Sequence, residues 1–434
     1  MTGTQSLLAR TALGCLVGGI GVWFSSISRF FTPTRGSFDR AITLAFVSSR
    51  LAIYAGIFLV LRISPRGDIP AFYWDESNAV LAHLLPYRDF LSSYAPLHPY
   101  LDASAILIWH SPLAIILLAI CAEGFVLPLW LRVGRIFLDE RDVRSASLLY
   151  LTSVISLQFV AIDGQDNVLI ALLLVLALYL IHRFKFFASG AAVGVAFTMV
   201  KFLPLIYMPI FVTLVPRRWR WLAGASTVIV PILGVCMILR LHILTPLVFE
   251  KKQTSAGNIP YLFEGITGLA VPTQIWDALV LVALASVFLL IVTKARGASD
   301  ALRLRLLTFG FAALTLTLVV FSKKSWPPYL MLSLFPICLL MKNFRLRVIA
   351  FALFGVVAVT ANSYWSTVLK QAVSSQFHRG LLAHRPDCFI VLMLQIALVS
   401  GYLWLLQLAI REICNNQLPA VNPQQIFQPA STSS

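Results

Sequence analysis

Residues 187–215 read FASGAAVGVAFTMVKFLPLIYMPIFVTLV, and the way this run divides sets the topology of everything after it. It is longer than the ~20 residues one membrane helix needs, yet too short for two full spans. Lys201 and Pro204 interrupt it near the middle. Proline inside a helix removes a backbone hydrogen bond and clashes with the preceding turn. A lysine at the bilayer centre costs about 2.5–3.5 kcal/mol. Two short, paired helices meeting at Lys201 resolve both problems. Irregular backbone then falls at the turn, where protein or a cavity can cover it.

The composition on either side supports a membrane reading. The chain has 434 residues, of which 59% are hydrophobic and 12% charged. A soluble chain carries about 25% charged residues, and half that supply does not cover a water-facing surface of this size. Cytosolic enzymes, secreted disulfide scaffolds and disordered chains are excluded. Apolar runs at 41–63, 113–131, 145–161, 167–181, 221–239, 276–293, 306–321, 329–341, 348–362 and 389–410 read as spans. The expected fold is all-α, a polytopic transmembrane helical bundle of about 10–13 membrane helices, including the short paired segment at 187–215, with a large outer first loop carrying short helices. Residues 1–40 form an N-terminal segment in which 11–27 fits either a further span or an interfacial helix. Its Gly14–Gly18 spacing suits helix packing. Residues 41–410 form the membrane domain. The polar tail 411–434 is expected to be disordered and cytoplasmic.

The formal net charge is +16, from 34 Lys and Arg against 18 Asp and Glu. In a membrane chain this reports orientation rather than a nucleic-acid partner, because basic residues gather in cytoplasmic loops. With the 64–103 loop outside, the loops 29–40, 132–144, 182–186, 216–220, 294–305 and 342–347, together with Arg411, fall inside. They hold 20 of the 34 cations. This works only if 187–215 goes across and returns. The short loops favour a bacterial inner membrane, with the chemistry facing the periplasm or exterior.

Most of the remaining polar chemistry lies in outer loops. The largest is SPRGDIPAFYWDESNAVLAHLLPYRDFLSSYAPLHPYLDA, residues 64–103. Asp68, just past the first span, fits a partly desolvated general base. By position alone it fits better an N-cap ahead of Ile69-Pro70. Asp75 and Glu76 are adjacent and point to different faces. Arg88 and Asp89 suit a local ion pair. Asp163 and Asp166 flank Gly164-Gln165 in a short turn and suit either that turn or sugar hydroxyls. His98 could touch substrate or make a structural bond. Lys201 calls for an anion, either a carboxylate or a lipid phosphate. Lys251-Lys252 and Lys323-Lys324 run against the inside bias, which invites either an anion or ordinary headgroup contact. The six cysteines show no CxxC spacing and the seven histidines no metal spacing, so no metal or cofactor is expected. Glu123 is the best intramembrane carboxylate.

These residues, in order, resemble a known family. Asp68, Tyr73, Pro86-Tyr87-Arg88-Asp89, Tyr94-Ala95-Pro96 and Pro99-Tyr100 look like the first outer loop of the C-type (GT-C) membrane glycosyltransferases. Gly164-Gln165 opening a span, Ala188 to Gly194, Lys201-x-x-Pro204 and Arg217 to Arg220 are similar to the bacterial polyprenyl-phosphate-mannose-dependent alpha-mannosyltransferases. The resemblance covers about residues 64–220, and Leu85 stands where the family has glycine. Beyond it only hydropathy and Ser-Lys-Lys-Ser-Trp-Pro-Pro-Tyr at 322–329 correspond.

The resemblance implies a polyprenyl-phosphate sugar donor, most simply mannose, and a glycan, glycolipid or protein acceptor, with membrane lipids as further partners and no nucleic acid. It implies inversion with one carboxylate base, because phosphate leaves without the acid that glycosidases need. Carried over, Asp68 is the base. Arg88, Lys201, Lys323 and Lys324 hold phosphate. Tyr73, Asp75, Asp89, His98, Gln165 and Asp166 line the sugar or acceptor site. The alternative is a transporter or lipid-linked sugar flippase using Lys201 as a coupling charge, although no repeated halves of the kind common in transporters are evident.

Overall fold

The computed structural model describes residues 3–27, 34–252, 255–342 and 344–415. The tail beyond 415 lies outside them, and so do the side chains of Lys251 and Lys252. All regular structure among the described residues is helical, apart from one isolated bridge between Pro86 and Phe90. Among the described residues, eight helices are long and apolar enough to cross a membrane: Arg35–Val60, Leu113–Gly134, Glu140–Ile162, Arg218–Ile238, Thr273–Lys294, Asp300–Phe321, Arg345–Thr367 and Pro386–Cys414. Shorter apolar helices, Arg10–Trp23, Asn167–His182, Phe186–Met199 and Pro327–Leu339, lie between them. The chain is a polytopic helical membrane protein.

Asp300–Phe321 is the central post, with every residue from Leu304 to Val320 buried. A helix apolar all round can be covered on all sides. Its hydroxyls are satisfied within it: Thr308, Thr315 and Thr317 donate to the carbonyls of Leu304, Phe311 and Ala313. A buried polar group elsewhere in the bundle is also paired. Arg50 donates to the Leu151 carbonyl at 2.6 Å and to Ser156 Oγ at 2.6 Å. Its Nε lies 3.8 Å from Glu123 Oε2. Glu123 thus has a cationic partner within the bundle.

The 187–215 run is the expected hairpin. Phe186–Met199 goes up, a 3-10 turn at Leu203–Ile206 reverses the chain, and Met208–Leu214 returns. Phe186 and Leu214 line one cavity, whereas Lys201 reaches Asp166 at the other end of the bundle. The next helix, Arg218–Ile238, then runs parallel to Phe186–Met199 in very close contact. A Cβ on Gly190 would lie 1.9 Å from the Trp221 carbonyl oxygen, and one on Gly224 1.9 Å from that of Phe187. Small residues let membrane helices approach to backbone contact.

The N-terminal helix, Gly3–Ile27, packs antiparallel on Arg345–Thr367. Thr11, Gly14 and Gly18 meet Thr360, Val356 and Ala352 in turn, so the Gly14–Gly18 spacing is a packing face. Arg10 reaches Asp163 at 3.5 Å, and a Cβ on Gly21 would collide with Thr152. The helix therefore runs along the bundle from the end that carries Asp163.

Candidate functional site

Four segments converge at one end of the bundle: the turn at 67–73, residues 94–102, the turn at 163–167 and the top of the hairpin at 198–201. Two backbone bonds fasten the second to the fourth. Ala95 N–H donates to the Val200 carbonyl and Leu97 N–H to that of Thr198, each at 3.1 Å.

Gly164 makes the third segment possible. Its φ is +61°, in the left-handed region that glycine occupies without cost. A Cβ there would lie 2.9 Å from both Ile116 and Ile69 side chains. The tight turn lets Gln165 reach across, and its Nε2 donates to Asp68 Oδ2 at 2.9 Å.

Asp68 begins a short π-helix, Ile69–Tyr73, but its side chain makes no capping bond. An N-cap oxygen takes the amide of the second or third helical residue. The second here is Pro70, which has none. The carboxylate is free for the site instead. It sits deep among protein atoms with part of its surface still accessible. Burial pushes its pKa up, against the opposing pull of Lys201 and the Gln165 hydrogen bond.

Next to it is a buried ionic set. Lys201 Nζ donates to Asp166 Oδ1 at 2.8 Å, with side-chain exposures of 13% and 3%. The ammonium also lies 4.9 Å from the Tyr94 ring centre and 5.7 Å from that of Tyr329. The other Asp166 oxygen lies 3.3 Å from His98 Nε2, and His98 Nδ1 lies 3.6 Å from Asp102 Oδ2. The His98 ring is stacked on Tyr94 at 4.4 Å and meets Tyr73 at 5.0 Å. Burial favours neutral Asp166, but Lys201 and His98 outweigh it and hold the carboxyl below its usual range. Burial alone would lower His98; Asp102, Asp166 and Glu76 overcome it and raise its pKa. Asp102 is raised to about 6 by burial, against the pull of His98. Glu76 is raised to about 7 by burial, although Ser92 donates to it at 2.7 Å.

Asp68, Tyr73, His98, Gln165, Asp166 and Lys201 are thus brought together. The other expected residues are placed elsewhere. Asp75 is exposed. Arg88 and Asp89 form an exposed pair with each other at 2.8 Å, and Asp89 also accepts from the Leu85 amide. Lys323 donates to Glu264 at 2.9 Å, where Trp276 and Ser374 also donate. Lys324 meets Asp277 at 3.2 Å. The Ser322–Tyr329 stretch joins this second cluster to the first, because Tyr329 faces Lys201.

Asp102 and Tyr329 had no assigned role from sequence. For Asp102 a signal existed, since His98 and Asp102 are four apart on one helix face. Tyr329 had none beyond its turn. No group of three or more His, Cys, Asp or Glu side chains suited to a metal ion occurs among the described residues.

No protein-family model matches the chain, and no curated protein matches it. Among solved structures it is similar to ArnT from Cupriavidus metallidurans, a crystal structure bound to undecaprenyl phosphate. The TM-score is 0.44 at 14% identity, over 85% of this chain and 77% of that one.

Proposed function

We propose that the protein is a membrane glycosyltransferase of the GT-C kind, moving a sugar from a polyprenyl phosphate to an acceptor hydroxyl with Asp68 as general base. The observation that carries this reading is the Asp68 carboxylate itself. It is uncapped, partly accessible, raised in pKa by burial, and set beside the partly buried Lys201 at the loop end of the bundle. A transporter's coupling charge belongs within the spans; this pair sits where the loops meet.

In the proposed reaction the acceptor oxygen attacks the anomeric carbon as Asp68 takes its proton. The bond from that carbon to the phosphate oxygen breaks, and polyprenyl phosphate leaves with inversion. A carboxylate whose pKa is raised toward the working pH is the stronger base. Lys201 keeps two ammonium protons beyond the one given to Asp166, and these meet the phosphate and offset its developing charge. Asp166 stays ionised and holds Lys201 in place. Gln165 orients Asp68, and Tyr73, Tyr94 and His98 wall the sugar. Lys201 is the principal phosphate contact in this reading, because it acts directly on Asp68, whereas Arg88, Lys323 and Lys324 pair with Asp89, Glu264 and Asp277 away from it. Mannose is the proposed sugar, on the sequence resemblance, and the periplasmic or outer face is the proposed side.

The test is transfer from polyprenyl-phosphate mannose to simple mannosides by the detergent-purified protein, with Asp68→Asn as the control. Asparagine preserves the Gln165 contact through its carbonyl oxygen and removes the base. Loss of at least about 100-fold in rate, the usual worth of a general base, with donor binding intact, supports the reading. Undiminished transfer by the variant would reject Asp68 as base. Absence of both binding and transfer in the wild type, across several sugars and acceptors, would reject the enzyme.

A further inference from the structure

A cavity of about 370 Å³ opens at the other end of the bundle, away from Asp68. The start of Arg35–Val60, the end of Leu113–Gly134, the turn between Asn167–His182 and Phe186–Met199, and the start of Asp300–Phe321 meet there. Its floor is apolar and buried, formed by Phe186, Leu214 and Leu304 among others. Its rim is cationic: among the described residues Arg35, Arg132, Arg135 and Arg303 line it against a single carboxylate, Asp300.

The four arginines are not equivalent. Arg135 is held by Asp39 at 2.7 Å and Glu140 at 2.8 Å, and Arg35 by Glu140 at 3.2 Å. Arg132 lies over the Tyr179 ring at 5.8 Å, and Arg303 donates to the Ala298 carbonyl. Neither of these two has a carboxylate within ion-pair distance among the described residues. The inside bias accounts for arginines at this end. It does not account for a greasy hollow between two of them that lack counter-ions. A small soluble anion has no use for the apolar floor, and a zwitterionic lipid gains little from the rim. A phosphate joined to a hydrocarbon chain satisfies both, and basic pockets between membrane helices suit such headgroups.

We infer that this cavity binds an anionic glycerophospholipid, with its phosphate between Arg132 and Arg303 and the first methylenes of one chain over Phe186, Leu214 and Leu304. The space admits a headgroup and the beginning of a chain; the remainder of the lipid lies along the outside of the bundle. The occupant seals the base of the hairpin whose top carries Lys201. This inference does not depend on the reaction proposed at Asp68.

The test is lipid retention by the full chain, delipidated in neutral detergent and titrated with dioleoyl phosphatidylglycerol or dioleoyl phosphatidylcholine, read by native mass spectrometry. One phosphatidylglycerol should bind at least about tenfold more tightly than phosphatidylcholine, a factor worth about 1.4 kcal/mol. Arg132→Gln with Arg303→Gln should abolish that preference. Ala301→Phe, which pushes a ring into the hollow and leaves every charge, should weaken phosphatidylglycerol by a similar factor. If the double glutamine variant fails to fold, Ala301→Phe decides alone. Four results would overturn the inference: equal retention of the two lipids; wild-type binding by Ala301→Phe; displacement by millimolar inorganic phosphate, which marks a soluble-anion site; or undecaprenyl phosphate tenfold tighter than phosphatidylglycerol, which marks a prenyl-lipid site.

Discussion

Lys201→Met removes the cation bonded to Asp166 and leaves a carboxylate that is 3% exposed. Breaking a buried pair from one side costs about 3–5 kcal/mol. His98, 3.3 Å from the other Asp166 oxygen, supplies part of the lost counter-charge, so the lower end, about 3 kcal/mol, is expected. Asp166→Asn leaves Lys201 in a milder position, because it is 13% exposed and faces two aromatic rings. Its cost should be about 2 kcal/mol, reduced by cation–π attraction. The double variant buries neither charge alone. It should lose about 2–3 kcal/mol in all, a coupling of about 2–3 kcal/mol within the range for contacting residues. The assay is denaturant unfolding of the four proteins in one detergent at pH 7. The pH dependence has a defined sign. Asp166 is held below its ordinary value, so its contribution is complete above about pH 4 and is lost as pH falls through the folded value. The penalty of Lys201→Met should therefore shrink in acid. Additive single costs, within about 0.5 kcal/mol, would mean that the two charges do not act as a unit and would refute the reasoning.

Three further outcomes are expected. With Asp68 as the proposed base, transfer should rise with pH with a midpoint above the ordinary aspartate value of about 3.9, because burial raises Asp68; Lys201→Gln should move that limb higher still, and a kcat/KM profile unmoved by the substitution would contradict the coupling. Gly190→Ala should destabilise by about 3 kcal/mol, the upper end for overpacking, because the new Cβ meets the backbone of Trp221, which no rotamer change relieves; a thermal melt within a degree of wild type would refute it. Arg50→Met should cost about 3–5 kcal/mol by stranding Glu123, with most of it recovered in Arg50→Met/Glu123→Leu; unfolding measurements placing the single variant within about 1 kcal/mol of wild type would show that the Tyr150 and Ser156 hydroxyls, which both donate to Glu123, suffice.

The helical framework was legible because hydrophobicity is a local property summed along the chain. The apolar runs correspond to the observed helices to within a few residues, and Lys201 with Pro204 marked the reversal in 187–215. Part of the site was legible for a related reason: polar residues crowded into short segments between spans have few places to go. What could not be read was which of them meet. Asp68 and Gln165 are 97 positions apart and Lys201 and Asp166 35, and their contacts depend on how four segments dock.

The clearest contrasts lie in single residues. Asp68 before Ile69-Pro70 suited a cap better than a base by position alone, and only the folded turn shows the carboxylate turned to Gln165. Arg88, Lys323 and Lys324 looked, by charge alone, as available to phosphate as Lys201. The tertiary structure sets them beside Asp89, Glu264 and Asp277 in turn, and sets Lys201 on Asp166 next to Asp68. Local composition therefore decides that this chain crosses a membrane and where it turns, since transfer of each apolar run into lipid is favourable whatever its neighbours. The partner of each buried charge is decided by packing, since an ion pair forms only where the helices bring two groups within a few ångströms and exclude water from around them.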